Sequence, residues 1–250
     1  MGVAKSAMRL GGHTAMDPRT IGTVSKTALS GIRHVPPAQP LRFTDANREW
    51  QLGESLRHFN LCALLYQLLR QAVTPRDSVG CDQFVYLDAG DPKRCLAPDG
   101  FVKLGAPQEM FASWRVWEKG APELCIEVLS PSDQEPITFA EKLARYQALG
   151  VRELVVFQVD ELAGKRIRVW DRVGDDLLER IVSTDATPCA TLGLFWVIAA
   201  ARDLPVALRL AHDAEGLSLV LTPEEVEHAA KEAALAEVER LREELARRNG

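Results

Sequence analysis

The chain has 250 residues, 46% hydrophobic and 26% charged, which is typical of a soluble globular protein that buries one good-sized core. Its longest apolar run, residues 190–201, is too short to cross a bilayer, so we expect no membrane association. The net charge is −5, with 20 basic and 26 acidic side chains in residues 41–222; this argues against a large non-specific DNA-binding surface but allows a local basic groove.

Composition divides the chain into three parts. Residues 1–40 have little apolar periodicity, carry five basic and one acidic side chain, and end in a proline-rich stretch, which predicts a flexible N-terminal tail. Residues 41–222 contain the periodic apolar segments and form the predicted domain. Residues 223–250 are rich in Glu, Ala, Arg and Leu and predict a charged C-terminal helix.

The predicted domain begins with a helix and continues with short strands. The helical pattern runs from about Ala46 to Ala72 and is stopped by Thr74-Pro75. Five strand-like runs follow, separated by turns: Gln83–Leu87, Phe101–Leu104, Leu124–Leu129, Leu154–Val159 and Arg166–Trp170.

A second helix is predicted between the third and fourth strands. It runs from about Ile137 to Leu149, and Gly150 is well placed as its C-terminal cap. The order strand, helix, strand implies a crossover, so part of the sheet should be parallel. We therefore predict an α/β domain with a mixed central sheet flanked by helices.

The C-terminal helix has some coiled-coil character. Four apolar residues are spaced four, three and four apart, as in a coiled-coil seam: Ala234, Val238, Leu241 and Leu245. Extended backwards, the same spacing reaches Lys231 and Glu227. A homodimer through this helix and a solvated single helix are equally open interpretations.

Several polar residues in these segments could carry chemistry. Glu127 lies within an apolar strand, where an ionised carboxylate is costly unless it is paired or holds a metal; the alternative is a glutamate on an edge strand facing water. Asp99 precedes Gly100 in a Pro-Asp-Gly sequence, which is also typical of a turn. Lys142 lies on the second helix, where most lysines are solvated. Two carboxylates and a lysine are a minimal set for metal-assisted phosphodiester cleavage.

Taken together, the segments resemble a known family. The order is APDGFVKLG, the charged aromatic SWRVWEKG, APELCIEVLSPS, a helix containing EK and a tyrosine, and ALGVREL. In order and spacing these resemble the Uma-two family of bacterial restriction endonucleases, within the PD-(D/E)XK nuclease superfamily. The resemblance covers about residues 46–185, and the charged helix that starts near Thr222 resembles the end of some members.

The resemblance implies roles for individual residues. Asp99 matches the aspartate of the PD motif and Glu127 the glutamate of the EVLS strand, and both would bind the metal. Leu129 stands where the superfamily usually has lysine, and Lys142 matches a lysine that family members supply from the following helix. Glu54 matches a glutamate on the first helix that approaches the metal.

His58 matches a recurrent histidine of the first helix, and the resemblance gives this histidine no role.

The chain also departs from the family pattern. Gly100 replaces a β-branched residue, Thr138 replaces an aspartate four residues before the lysine, and FQVD replaces a strand that usually ends in aspartate-proline. The proposed ligands are retained, but these changes bear on efficiency and metal affinity.

The predicted function is metal-dependent hydrolysis of phosphodiester bonds in DNA, with Mg²⁺ or Mn²⁺ as the cofactor. Two alternatives remain. One is a catalytically silent nuclease-fold scaffold that oligomerises through its C-terminal helix, and the other is an enzyme acting on RNA or nucleotides.

A cytoplasmic location is also predicted. The five cysteines show no CxxC spacing and no even count, which argues against a zinc site of that kind and against a disulfide framework. The first residues lack a compact apolar segment followed by a cleavage site, so we expect no signal peptide.

Overall fold

The computed structural model describes residues 55–129 and 138–249. The predicted N-terminal tail, the first part of the predicted first helix and Glu54 lie outside the described residues. The described residues fall within one compact unit.

Helix α1 (Leu56–Ala72) begins at Ser55, whose hydroxyl accepts a hydrogen bond from the backbone N–H of His58. Such a cap satisfies one of the backbone donors that every helix leaves open at its first turn. The helix ends at Ala72, close before Thr74-Pro75, as the sequence predicts. Its buried residues recur at helical spacing: His58, Leu61, Cys62, Leu65, Leu68 and Leu69.

A six-stranded mixed sheet forms the centre of the fold, in the order β1-β4-β6-β7-β8-β9. Its strands are β1 (Ser78–Gly80), β4 (Gly100–Lys103), β6 (Leu124–Leu129), β7 (Glu153–Gln158), β8 (Ile167–Val173) and β9 (Asp176–Glu179). Strands β6 and β7 are parallel, and the other neighbours are antiparallel. The predicted mixed α/β fold is therefore confirmed.

Helix α3 (Phe139–Leu149) connects β6 to β7 and makes their parallel pairing possible. Thr138 caps its first turn, and the Glu141 side chain accepts a hydrogen bond from the Thr138 backbone N–H in return. Gly150 ends the helix in the left-handed conformation, with φ of 89°. Both ends of α3 are thus fixed by local sequence.

Two smaller sheets complete the fold. One has the order β3-β2-β5 and is followed by a short helix; its elements are β2 (Val85–Tyr86), β3 (Cys95–Leu96), β5 (Trp114–Arg115) and α2 (Val116–Lys119). The other has the order β10-β11-β12 and consists of β10 (Ala186–Cys189), β11 (Leu194–Ala201) and β12 (Leu204–Ala211). The predicted elements do not include β1, β3, β5, α2, β9 or the β10-β11-β12 sheet.

The central sheet separates two apolar clusters. The first joins the buried face of α1 to one face of the sheet and to β10, β11 and β12, so α1 lies between two sheets. The second joins α3, through Tyr146 and Leu149, to the other face of the sheet and to Trp114. Side chains alternate across a strand, so β6 contributes Ile126 to the first cluster and Cys125 to the second.

The C-terminal helix α4 (Pro223–Asn249) is held to the domain at its first turn. The buried guanidinium of Arg209 on β12 donates to both carboxylate oxygens of Glu225, at 2.9 and 2.8 Å. Thr222 and Glu225 also form reciprocal capping bonds. Within the described part of the chain, no helix is long and apolar enough to span a membrane.

Candidate active site

Glu127 lies in the middle of β6 and is buried. Alternation along the strand places it on the same face as Cys125, which is the face covered by α3. Two side chains of α3 reach its carboxylate: Lys142 donates to Oε2 at 2.5 Å, and the hydroxyl of Tyr146 donates to Oε1. Glu127 is therefore a buried carboxylate with a partner at each oxygen.

Lys142 and Tyr146 are both buried, although the sequence alone favours a solvated lysine at this position. They are four residues apart on α3, so they project from the same face of the helix toward β6. The sequence alone predicts no role for Tyr146. Its spacing from Lys142 is the signal that could have identified it.

Asp99 lies just before β4, at the end of the sheet where α1 begins. Its Oδ2 accepts a hydrogen bond from the backbone N–H of Val128 at 2.6 Å, and its Oδ1 lies 3.2 Å from Nε2 of His58. Gly100 pairs with Ile126 in the β4–β6 ladder, and the same register brings Asp99 beside Glu127. Asp99 is therefore buried at the start of an inner strand and is not an exposed turn residue.

Close packing explains why glycine occupies position 100. A Cβ atom there would lie 2.9 Å from Cδ2 of Leu65 and 3.3 Å from Cδ1 of Leu69, both on α1. The absence of a side chain lets the start of β4 lie close against α1, which in turn brings His58 to Asp99. The departure from the β-branched residue of the family pattern therefore accompanies close helix–strand packing.

Burial and neighbouring charges shift the pKa values of the site. Burial raises the pKa of Glu127, the positive charge of Lys142 lowers it, and the negative charge of Asp99 raises it again, with a net pKa of about 8. Burial also raises the pKa of Tyr146 well above its usual range, and the neighbouring Glu127 charge adds to this. Tyr146 thus remains a hydrogen-bond donor over the physiological pH range.

Two neighbouring sets of side chains could hold a metal ion. Asp99 and Glu127 present carboxylate oxygens, the donors that Mg²⁺ and Mn²⁺ prefer, and the repulsion between their charges is of the kind that a divalent cation relieves. In addition, His58, Cys62 and Asp99 are all buried, and each offers a ligand atom within 4.8 Å of the others. The donor types at the site therefore fit a divalent ion.

Comparison with known proteins gives the family of the chain. The Uma2 family, described as "Putative restriction endonuclease", matches residues 50–201. The chain belongs to this family. The resemblance predicted for residues 46–185 is confirmed, and the matched segment contains Asp99, Glu127 and Lys142.

One solved structure similar to this Uma2 protein is that of a putative nuclease belonging to DUF820 from Anabaena variabilis ATCC 29413. The two chains are 15% identical, with a TM-score of 0.42 over 56% of this chain and 75% of the other. No curated protein matches the chain. Membership of the Uma2 family points to a nuclease, that is, a hydrolase of phosphodiester bonds with a nucleic acid as its substrate.

Proposed function

We propose that this Uma2 protein is a metal-dependent DNA endonuclease. The observation that carries the proposal is the convergence of three elements on one buried carboxylate pair: Lys142 of α3 contacts Glu127 of β6, and Asp99 at the start of β4 is bonded to the next residue of β6, Val128. Burying such a set of charged groups is costly, and the cost is expected where the groups are needed for chemistry.

Asp99 and Glu127 are the proposed ligands of Mg²⁺ or Mn²⁺. The backbone N–H of Val128 holds Oδ2 of Asp99, and Tyr146 holds Oε1 of Glu127, so both carboxylates are oriented by hydrogen bonds as metal ligands usually are. Glu54, outside the described residues, is proposed as a further carboxylate of the site. The ion, when bound, supplies a Lewis acid that polarises the phosphate and lowers the pKa of a bound water.

Lys142 is the proposed cationic group of the reaction. Its ammonium is already at the carboxylate pair, 2.5 Å from Oε2 of Glu127, so a small movement of its long side chain would bring it to a phosphate bound there. In that position it orients the attacking water or neutralises the negative charge that develops on the phosphate. Tyr146 is proposed as a positioning residue that keeps Glu127 in place.

DNA is the proposed substrate and the cytoplasm the proposed location. The family description supports a restriction-type activity on DNA. RNA and nucleotides are the alternative substrates because the fold does not determine the substrate.

A second proposal concerns assembly. Along α4 the seam residues Val238, Leu241 and Leu245 are 43%, 49% and 60% exposed, which leaves an apolar stripe for a second copy of the chain. We propose a homodimer through α4. A catalytically silent scaffold would use the same stripe, so dimerisation is compatible with either function.

The test is a cleavage assay on supercoiled, linear and single-stranded DNA and on RNA, with Mg²⁺, Mn²⁺ or EDTA. We expect metal-dependent cutting of DNA that falls at least about a hundredfold in Glu127→Gln and in Lys142→Met. Tyr146→Phe should lose less, about tenfold, because it leaves the ligand in place and removes only one hydrogen bond.

A matched control is Lys119→Met, which removes a lysine remote from Glu127 that pairs with Glu109 instead. It should cut like the unmodified protein. Cutting that persists in Glu127→Gln and Lys142→Met would assign the activity to another site or to a contaminant. Absence of cutting on every substrate, together with absence of Mn²⁺ binding, would favour the scaffold.

A further inference from the structure

A second set of metal-ligating side chains adjoins the carboxylate pair. His58 and Cys62 are four residues apart on α1 and therefore share a face of the helix, and Asp99 meets them from the start of β4. Their exposed fractions are 5%, 2% and 7%, so all three are buried. We propose that His58, Cys62 and Asp99 bind a zinc-class divalent ion, and that this ion competes with the catalytic metal because Asp99 belongs to both sites.

The donor types distinguish this site from the proposed Mg²⁺ site. Thiolate sulfur and imidazole nitrogen bind Zn²⁺, Co²⁺ and Cd²⁺ strongly, whereas Mg²⁺ prefers oxygen ligands and keeps several waters. A site that combines one nitrogen, one sulfur and one oxygen therefore selects the zinc class.

The spacing of the ligand atoms is close to what such an ion requires. The three atoms lie within 4.8 Å of one another, and Nε2 of His58 is 3.2 Å from Oδ1 of Asp99. Two ligands of a tetrahedral zinc with bonds of about 2.0–2.2 Å are about 3.4 Å apart. The nitrogen and oxygen are thus already near the required separation, and the sulfur lies within 4.8 Å of both.

Asp99 is also held as a ligand would be. The backbone N–H of Val128 binds its Oδ2 at 2.6 Å, which leaves Oδ1 directed toward His58. Hydrogen bonds of this kind orient the carboxylates of metal sites.

One of the three ligands borders a surface cavity. Cys62 lines a cavity of about 290 Å³ together with Phe59, Tyr66 and Cys81, and this cavity is the proposed route of the ion to the site. Binding would displace the proton of the Cys62 thiol, so the affinity should rise with pH.

The antagonism between the two ions rests on the proposed nuclease function, whereas binding of the zinc-class ion does not. An ion held by His58, Cys62 and Asp99 occupies a carboxylate that the Mg²⁺ site needs. We therefore expect Zn²⁺ to inhibit Mg²⁺-supported cleavage at concentrations far below those of Mg²⁺.

The binding test is an optical titration of the full chain with Co²⁺, whose bond to a thiolate gives a near-ultraviolet charge-transfer band. We expect a band that saturates at one Co²⁺ per chain, disappears in Cys62→Ser and is abolished by adding Zn²⁺. Cys95→Ser, which changes a cysteine of strand β3, should keep the band. Glu127→Gln should keep it as well. His58→Gln is a second variant that should weaken Co²⁺ binding at least about tenfold.

The activity test compares the Zn²⁺ concentration that halves the Mg²⁺-supported cleavage rate. Cys62→Ser should need at least about ten times more Zn²⁺ than Cys95→Ser. A missing band in the unmodified protein, or a band that persists in Cys62→Ser, would overturn the site. Cleavage that Zn²⁺ supports or leaves unchanged would overturn the antagonism. A normal band in a protein that cleaves nothing would uphold the ion site and refute the nuclease proposal.

Discussion

Glu127 determines how the proposed metal site depends on pH. Its pKa of about 8 lies far above its usual 4.5, because burial outweighs the attraction of Lys142. The folded protein therefore holds the Glu127 proton more tightly than the unfolded chain does. The contribution of this residue to stability is full below pH 4.5 and is lost as the pH rises through about 8.

A bound divalent ion reverses this loss of stability with rising pH, because the ion binds the ionised carboxylate of Glu127. We expect the rise in melting temperature caused by Mn²⁺ to be small near about pH 6 and to grow up to about pH 9. Thermal unfolding with and without Mn²⁺ across this range measures the effect. In Glu127→Gln, which cannot ionise, the rise should be weaker and nearly independent of pH.

Variants of Asp99 and Lys103 provide comparisons for the Mn²⁺ effect in Glu127→Gln. Asp99→Asn should also reduce the Mn²⁺ effect, because it removes the second carboxylate of the site. Lys103→Met removes a lysine that pairs with Glu123 instead, and it should leave the pH dependence unchanged. A Mn²⁺ effect of equal size at every pH would contradict the assignment of Glu127 as a ligand.

Strand β4 has to lie close to its neighbours to carry Asp99 into the site. Phe101, the second residue of β4, pairs with Gly80 of β1. A Cβ atom at Gly80 would lie 2.1 Å from Cε1 of the Phe101 ring, which is fully buried. Phe101 also packs edge-on against Trp114, with ring centroids 5.5 Å apart, so the ring has little room to move.

We therefore expect Gly80→Ala to destabilise the protein by about 1–3 kcal/mol through overpacking. Chemical denaturation followed by tryptophan fluorescence measures the change. The control is Gly90→Ala in the Asp88–Asp91 turn, where a Cβ would be 3.4 Å from Oδ1 of Asp88; its effect should stay within about 0.5 kcal/mol. Equal stabilities for the two variants would show that the β1–β4 packing is looser than the structure indicates.

The described residues form a packed domain with one long exposed helix, α4. The first turn of α4 is fixed by the Arg209–Glu225 pair, but the seam residues further along are exposed. Ion pairs within the helix, such as Glu237–Arg240 and Glu244–Arg248, stabilise it only weakly in water. A second copy of the helix would bury the seam and add stability that these pairs do not supply.

The seam can be tested without disturbing the domain. We expect the unmodified protein to sediment as a dimer and the double variant Leu241→Lys with Leu245→Lys to sediment as a monomer. The charge-matched control changes Ala229 and Ala236, exposed residues on the opposite side of α4, to lysine and should remain dimeric. A monomeric unmodified protein would refute dimerisation through α4.

Local patterns in the sequence predict the main elements around the site and select three candidate site residues. The bounds of β6 and the end of α3 at Gly150 follow from an apolar run and a cap that involve only neighbouring residues. Asp99, Glu127 and Lys142 could be selected because their types and order match a motif. The family match confirms that resemblance, while the roles of the three residues stay predictions.

Which side chains meet depends on the tertiary fold. The contact of His58 with Asp99 joins residues 41 positions apart, and that of Tyr146 with Glu127 joins residues 19 apart. Both depend on the docking of a helix against the sheet, which no local pattern encodes. The apolar run at residues 190–201 is ambiguous for the same reason: residues 194–201 become strand β11 because β10 and β12 pair with them. Local propensities act over a few residues, whereas strand register and helix docking arise from burying apolar surface over the whole chain.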